Sequence, residues 1–217
     1  MGLTNSLSAS GIIKRFSARP LFAPVDFEAR SGEIIAITGS NGTGKSTLLK
    51  ILATVLEPTK GTVTLSKDGS VLDEEKIKGA AGFAAPYLEL YNELSAIEHL
   101  KFIFELRGAS LSTDAAIGLL SSLGLDAAVA KSDRQVKFYS SGMQQRVKLA
   151  MAFISDPPFI FLDEPGSNLD ADGIDKLHHL IRTSSANGAI ILIATNDPAE
   201  VALAHRTLPL LPYIPAK

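Results

Sequence analysis

Continuous apolar runs and runs of helical spacing divide this chain into elements. Residues 33–38 (Glu33-Ile34-Ile35-Ala36-Ile37-Thr38), 158–162 (Pro158-Phe159-Ile160-Phe161-Leu162) and 189–194 (Ala189-Ile190-Ile191-Leu192-Ile193-Ala194) are short and rich in β-branched residues. Such runs predict strands buried on both faces. Residues 25–29 alternate apolar and polar, predicting a half-buried strand, and residues 10–16, 61–65 and 81–85 are strand-like too. Asp68-Gly69 between polar neighbours is a hairpin-turn signal. Residues 48–53, 93–106, 112–123 and 173–183 place apolar side chains at helical spacing, with Gly108 and Gly124 where helix ends belong. The last ten residues hold Pro209, Pro212 and Pro215 and read as irregular.

Buried runs alternating with helices predict an α/β fold with a mainly parallel central sheet. The short strands before residue 38 read as an N-terminal β unit. The zone from about residue 87 to 155 is richer in helix, and no repeat or low-complexity linker separates it. It therefore reads as a helical insertion within a single domain spanning residues 1–217.

Composition narrows the functional classes. The 217 residues are 46% hydrophobic and 20% charged with net charge −2, which gives no electrostatic footprint for nucleic acid. Without cysteine there is no disulfide or thiolate metal site. No apolar run reaches the roughly 18–20 residues that span a bilayer, and the N-terminus lacks the apolar core of a signal peptide. Any membrane role is expected to come through a partner. Met1-Gly2-Leu3-Thr4-Asn5-Ser6 fits the loose N-myristoylation pattern, and a frayed terminus is the plainer reading.

The strongest chemical signal follows the first buried run. Gly39-Ser40-Asn41-Gly42-Thr43-Gly44-Lys45-Ser46-Thr47 fits G-x-x-x-x-G-K-[ST] without a mismatch. A glycine-rich turn can merely join strand to helix. The flanking strand and helix, with Lys45-Ser46, favour a phosphate loop. Its backbone N–H groups curl around a polyphosphate at the positive end of the new helix. Lys45 is expected to reach the β- and γ-phosphates, Ser46 to place its hydroxyl on Mg²⁺, and Thr47 to add a phosphate contact.

Two later motifs extend this reading. The apolar strand ending in Asp163-Glu164 puts two carboxylates where such sheets open their ligand crevice. Asp163 can hold Mg²⁺ through water, and Glu164 can polarise an attacking water as general base. Ahead of it, Tyr139-Ser140-Ser141-Gly142-Met143 opens a helix that Ser140 or Ser141 can cap, with Gly142 permitting close backbone approach.

Taken together and in this order, the motifs resemble those of the ATP-binding cassette (ABC) ATPases, over nearly the whole chain. Tyr139 to Met143 is similar to a divergent form of the family signature LSGGQ. Ser167-Asn168-Leu169-Asp170 resembles the family's D-loop, and Phe16 stands where the family stacks an aromatic on adenine. The resemblance implies a P-loop NTPase fold with an antiparallel β subdomain and a helical subdomain. It implies ATP and Mg²⁺ as cofactors and a cytoplasmic location, peripheral on the membrane through permease subunits. In the family, the signature of one subunit faces the nucleotide of another. The resemblance thus brings Ser140, Ser141, Gly142 and Asp170 to a second ABC subunit's nucleotide, in a head-to-tail dimer of identical or different subunits.

Two positions depart from the family. Its Mg²⁺-touching glutamine should follow Gly82-Phe83-Ala84-Ala85, where this chain has Pro86; water, or Glu89 if the loop bends, would then serve the metal. Its switch histidine is replaced by Asn196, which can still donate a hydrogen bond but stays neutral. His178 and His179 read as solvated, and His205 is a poor stand-in. The leading expectation is a transporter ATPase subunit with intact ATP binding and slow hydrolysis. Its contenders are a soluble cassette ATPase serving assembly or repair, and a weakly hydrolysing, nucleotide-dependent dimerisation module. Tyr87, Leu88, Leu90 and Tyr91 form an apolar cluster that reads either as core or as a docking face for the permease.

Overall fold

A computed structural model describes residues 4–107 and 110–214. Met1, Gly2 and Leu3 of the acylation pattern, Gly108 at an expected helix end, and Pro215 lie outside the described residues. The chain runs β1 (Asn5–Ile13), β2 (Val25–Arg30), β3 (Ile34–Thr38), α1 (Lys45–Leu52), β4 (Lys60–Lys67), β5 (Ser70–Val71), α2 (Glu74–Ala80) and β6 (Ala81–Ala84). Then come α3 (Ala96–Leu106), α4 (Thr113–Ser122), α5 (Ala127–Lys131) and α6 (Ser141–Phe153). The last part is β7 (Phe159–Asp163), α7 (Ala171–Ala186), β8 (Ile190–Ala194), α8 (Pro198–Val201) and β9 (Arg206–Pro209).

The strands form two sheets. The central one has order β6-β7-β8-β3-β9, and each neighbouring pair is parallel. Every residue of β7 and β8 is buried, as continuous apolar runs require when both faces are covered. Alternate residues serve different cores. Ile160, Leu162, Ile191 and Ile193 pack with the helical layer. Ile35, Ile37, Phe159, Phe161 and Leu192 pack with α1 and the second sheet. A fully buried side chain of this size contributes about 1.5–3 kcal/mol.

The second sheet, β2-β1-β4-β5, is antiparallel. Val25, Phe27 and Ala29 of β2 face inward and alternate with exposed residues, matching a sheet with one wet face. Asp68-Gly69 makes the expected β4–β5 turn, with positive φ at both residues. In the helical layer, Ser95 and Glu98 form a capping box on α3. Gly124 takes φ +82° just past α4, as its helix-end reading requires.

Two expectations need correction. The proline-rich tail is not wholly irregular: Arg206–Pro209 pairs in parallel with β3, with Pro209 opposite Thr38. An edge strand tolerates proline because its outward N–H has no ladder partner to lose. His178 is buried rather than solvated; it lies on the inner face of α7, whereas His179 is exposed.

Candidate active site

The loop after β3 carries the phosphate-binding sequence, and three glycines give it its shape. Gly39, Gly42 and Gly44 have φ of +149°, +81° and +97°. A Cβ on Gly39 would stand 2.8 Å from the Leu210 carbonyl oxygen. Thr43 pins the turn from inside: its N–H and its hydroxyl both donate to the Ser40 carbonyl, at 3.2 and 2.8 Å. Helix α1 then begins with no side chain capping it and no acidic residue in its first turn. Its positive end is thus open to an anion.

Lys45 is buried, and its Nζ donates to the Gly39 carbonyl at 2.8 Å. The ammonium lies folded across the cradle it is expected to close. Ser40, Asn41 and Gly42 at the loop crest are exposed, while Ser46 and Thr47 are half-buried in the first turn of α1.

The ends of β7 and β8 supply the opposite wall. Asp163 is only 3% exposed. Burial pushes its carboxyl above the usual carboxylate range; the Ser46 hydroxyl opposes this, the Glu164 charge adds to it, and the Tyr87 hydroxyl and Lys50 charge oppose it. Glu164 turns outward with φ +43°, and its N–H donates to the Ala194 carbonyl at 2.9 Å. Asn196 reaches the loop directly. Its Oδ1 accepts from the Gly39 N–H at 3.4 Å, and its Nδ2 donates to Asn41 Oδ1 at 3.1 Å. Asn41, Glu164 and Asn196 line one cleft of about 340 Å³ with Thr195, Ser167 and Glu200. His205 instead binds Ile34, with Nδ1 accepting from its N–H at 2.9 Å. That is the opposite end of β3, so His205 cannot substitute for a switch histidine.

No cluster of three or more His, Cys, Asp or Glu suited to a metal occurs among the described residues. Asp163 and Ser46 nonetheless fit Mg²⁺. A buried carboxylate facing a hydroxyl supplies two oxygen ligands, and nucleotide phosphates and water usually supply the rest. The other expected site residues are held elsewhere. Phe16 is 70% exposed just past β1, with Lys14 Nζ 5.1 Å from its ring centroid. Ser140 rather than Ser141 caps α6, accepting from the Met143 N–H at 3.2 Å. Gly142 lies so close to the next loop that a Cβ would be 2.7 Å from the Asn168 carbonyl oxygen. Asp170 caps α7 through the Gly173 N–H at 2.8 Å and pairs with Arg146 at 2.6 Å. Those contacts, the Gly173 N–H first, hold its carboxyl below the ordinary range.

Three side chains of the site escaped sequence reasoning. Glu200 sits three residues after Asp197, the cap of α8. It turns inward, accepting from the Gly166 N–H at 2.8 Å, and burial raises its carboxyl. Tyr87, next to Pro86, lies near Asp163: burial first, and then the Asp163 charge, push its hydroxyl above the usual range. Lys148 of α6 donates to the Pro86 carbonyl at 2.7 Å. Glu89, the alternative metal partner if the loop bends, lines a cleft with Pro86, Gln144 and Lys148. Periodicity marks only faces and carries no signal for such long-range contacts.

A phosphate loop after a parallel strand, with a carboxylate strand end across the cleft, defines a P-loop nucleotide-binding protein. The chain belongs to the ABC transporter family, as one of its ATP-binding members: the family model for ABC transporters matches residues 22–167. It is 32% identical to the lantibiotic transport ATP-binding protein SrtF of Streptococcus pyogenes, over 90% of this chain and 82% of that protein. It is 31% identical to the lipoprotein-releasing system ATP-binding protein LolD of Bacteroides thetaiotaomicron, over 93% of this chain and 95% of that one. In fold it matches a solved dimeric ATP-binding cassette in a post-hydrolysis state with ADP and Pi. That match has a TM-score of 0.81 and 24% identity and covers 94% of each chain. The expected cassette fold, with its parallel and antiparallel sheets, is the one observed.

Proposed function

We propose that this chain binds MgATP on residues 39–47, hydrolyses it slowly, and powers transport through separate membrane permease subunits by ATP-dependent head-to-tail dimerisation. The observation that carries this reading is the open N-terminus of α1 behind Lys45, opposite buried Asp163. In this reading Lys45 and the loop amides grip the phosphates. Asp163 and Ser46 hold Mg²⁺, which neutralises phosphate charge. Glu164, exposed at the cleft, takes the proton of the attacking water. Phe16 stacks on adenine. The exposed N-terminus of α6 at Ser140-Ser141-Gly142 offers amides to the nucleotide of a second subunit, and Asp170 borders the same interface.

Asn196 holds the switch position with a neutral amide already hydrogen-bonded to the loop. Lacking a preorganised transition-state contact typically costs about 3 kcal/mol, roughly a hundredfold in rate. Slow hydrolysis also keeps open the reading of a nucleotide-dependent dimerisation module. The exposed Tyr87, Leu88, Tyr91, Phe102 and Leu106 suit the permease contact, which would place the protein peripherally on the cytoplasmic face. No helix among the described residues is long and apolar enough to cross a membrane.

Calorimetry with MgATP tests the core of the proposal. Saturable uptake by the parent chain and a loss of at least about a hundredfold in affinity for Lys45→Ala are expected, that side chain bearing the charge on the phosphates. Equal uptake by both proteins would defeat the assignment.

A further inference from the structure

The turn that follows β7 has both ends of its central peptide held by buried side chains. Glu164 to Ser167 form it, closed by the Ser167 N–H on the Glu164 carbonyl at 3.1 Å. The peptide between Pro165 and Gly166 lies at its centre. The Pro165 carbonyl accepts from Gln145 Nε2 of α6 at 2.9 Å. The Gly166 N–H donates to Glu200 Oε1 of α8 at 2.8 Å. Gln145 is 2% exposed and Glu200 4%, so neither has bulk water as an alternative partner.

This orientation is not the one the local sequence favours. Proline followed by glycine at the centre of a turn suits type II, in which the glycine takes positive φ. Gly166 lies outside that region. Exchanging one form for the other rotates the central peptide by roughly half a turn. That rotation would carry its carbonyl away from Gln145 and its N–H away from Glu200. The two bonds therefore select one of two neighbouring turns. Glu164 is the first residue of that turn. It holds φ +43° with its N–H on the Ala194 carbonyl, a left-handed conformation that a non-glycine residue keeps only where its surroundings over-determine it.

We propose that Gln145 and Glu200 are positioning residues for hydrolysis: clamping the Pro165–Gly166 peptide from opposite ends, they fix the backbone that aims the Glu164 carboxylate into the cleft. This rests on the MgATP hydrolysis reading above and deepens it. The two side chains come from different parts of the site. Gln145 follows the Ser140-Ser141-Gly142 start of α6, and Glu200 follows Asn196 in the chain. One peptide thus ties the general base to both segments.

The test is single-turnover hydrolysis with the full chain in excess over MgATP, beside MgATP affinity by calorimetry. Gln145→Met removes the donor and Glu200→Leu the acceptor, each with little change in volume. A misplacement of about 1 Å can cost about 10²-fold in rate, so each variant should hydrolyse roughly ten- to a hundredfold more slowly, with an affinity within about twofold of the parent's. Glu200→Gln, whose side-chain oxygen still accepts from Gly166, should recover most of the rate. Gly166→Ala probes the same bond from the turn, because its Cβ would meet Glu200 Oε1 at 2.7 Å. The same split is expected there, and this variant decides the matter if the buried ones fail to fold. Rates within about twofold of the parent's overturn the inference. So does an equal loss of rate and affinity, which a general loosening would produce, or a Glu200→Gln as slow as Glu200→Leu. A parent chain that binds MgATP without hydrolysing it overturns the functional reading itself, and this inference with it.

Discussion

The two walls of the cleft are built from different material. On the β3 side the contacts are main chain: loop amides, the Gly39 and Ser40 carbonyls, and the uncapped start of α1. On the β7–β8 side they are side chains drawn from distant segments: Asp163, Glu164, Asn196, Glu200 and Tyr87. A main-chain wall needs only a local string with glycine where φ is positive, and its chemistry barely depends on the remaining residue types. A side-chain wall depends on which residue each segment delivers and which groups surround it. The departures from the family pattern, Pro86 and Asn196, both fall on the second wall. The first is matched without a substitution.

Three further predictions probe that contrast. The largest effect is expected at Glu164. Removing a general base typically costs about 10²–10⁴ in rate, so Glu164→Gln should nearly abolish turnover while the main-chain wall keeps its nucleotide. The same variant should run as a dimer in size-exclusion chromatography with ATP and Mg²⁺; a monomer only would count against the shared site. Asn196→His comes next. If the neutral amide limits the rate, turnover should rise by up to roughly a hundredfold with KM little changed. A parent already turning over several times per second, with no gain in the variant, would remove the handicap.

The smallest effect concerns the support of the β6 loop. His99 is buried, accepts the Tyr91 N–H on Nε2 at 2.9 Å, and holds the Ser95 carbonyl with Nδ1 at 2.8 Å. Both bonds are satisfied only by the neutral ring with its proton on Nδ1. Burial accordingly pushes its pKa down, against the pull of Ser95 and Glu98. The unfolded chain takes the proton at about pH 6.5, before the folded chain does. The stability from this ring is therefore present above that pH and lost as pH falls towards the depressed folded value. The urea midpoint should decline below about pH 6.5. His99→Phe should lower it at neutral pH and flatten the decline, leaving the same-signed contribution of His178. An identical pH profile in the variant would show that the ring titrates without consequence.

Legibility in the sequence followed how far apart the interacting residues lie. The buried strands β3, β7 and β8 declared themselves because both of their faces are apolar. The phosphate loop did so because its glycines and Lys45 are contiguous. β9 was hidden: four residues holding a proline carry no pattern of their own and become a strand only because β3 offers an edge. His178 was misread because a single polar residue on an amphipathic helix leaves its facing ambiguous. Tyr87 read as core or docking cluster, and it came near Asp163 only once β6 and β7 lay side by side.

By itself the sequence determined the alternation that makes a parallel sheet, the polyphosphate cradle after its first strand, and the carboxylate pair at the end of another. These are local matters of backbone dihedrals, side-chain volume and charge within a few consecutive residues. Only the tertiary structure decided that Asn196 reaches the cradle, that Glu200 steadies Gly166 and that Tyr87 lies near Asp163. Such contacts exist because chain segments dozens of residues apart are packed into one solid, and no local propensity encodes them.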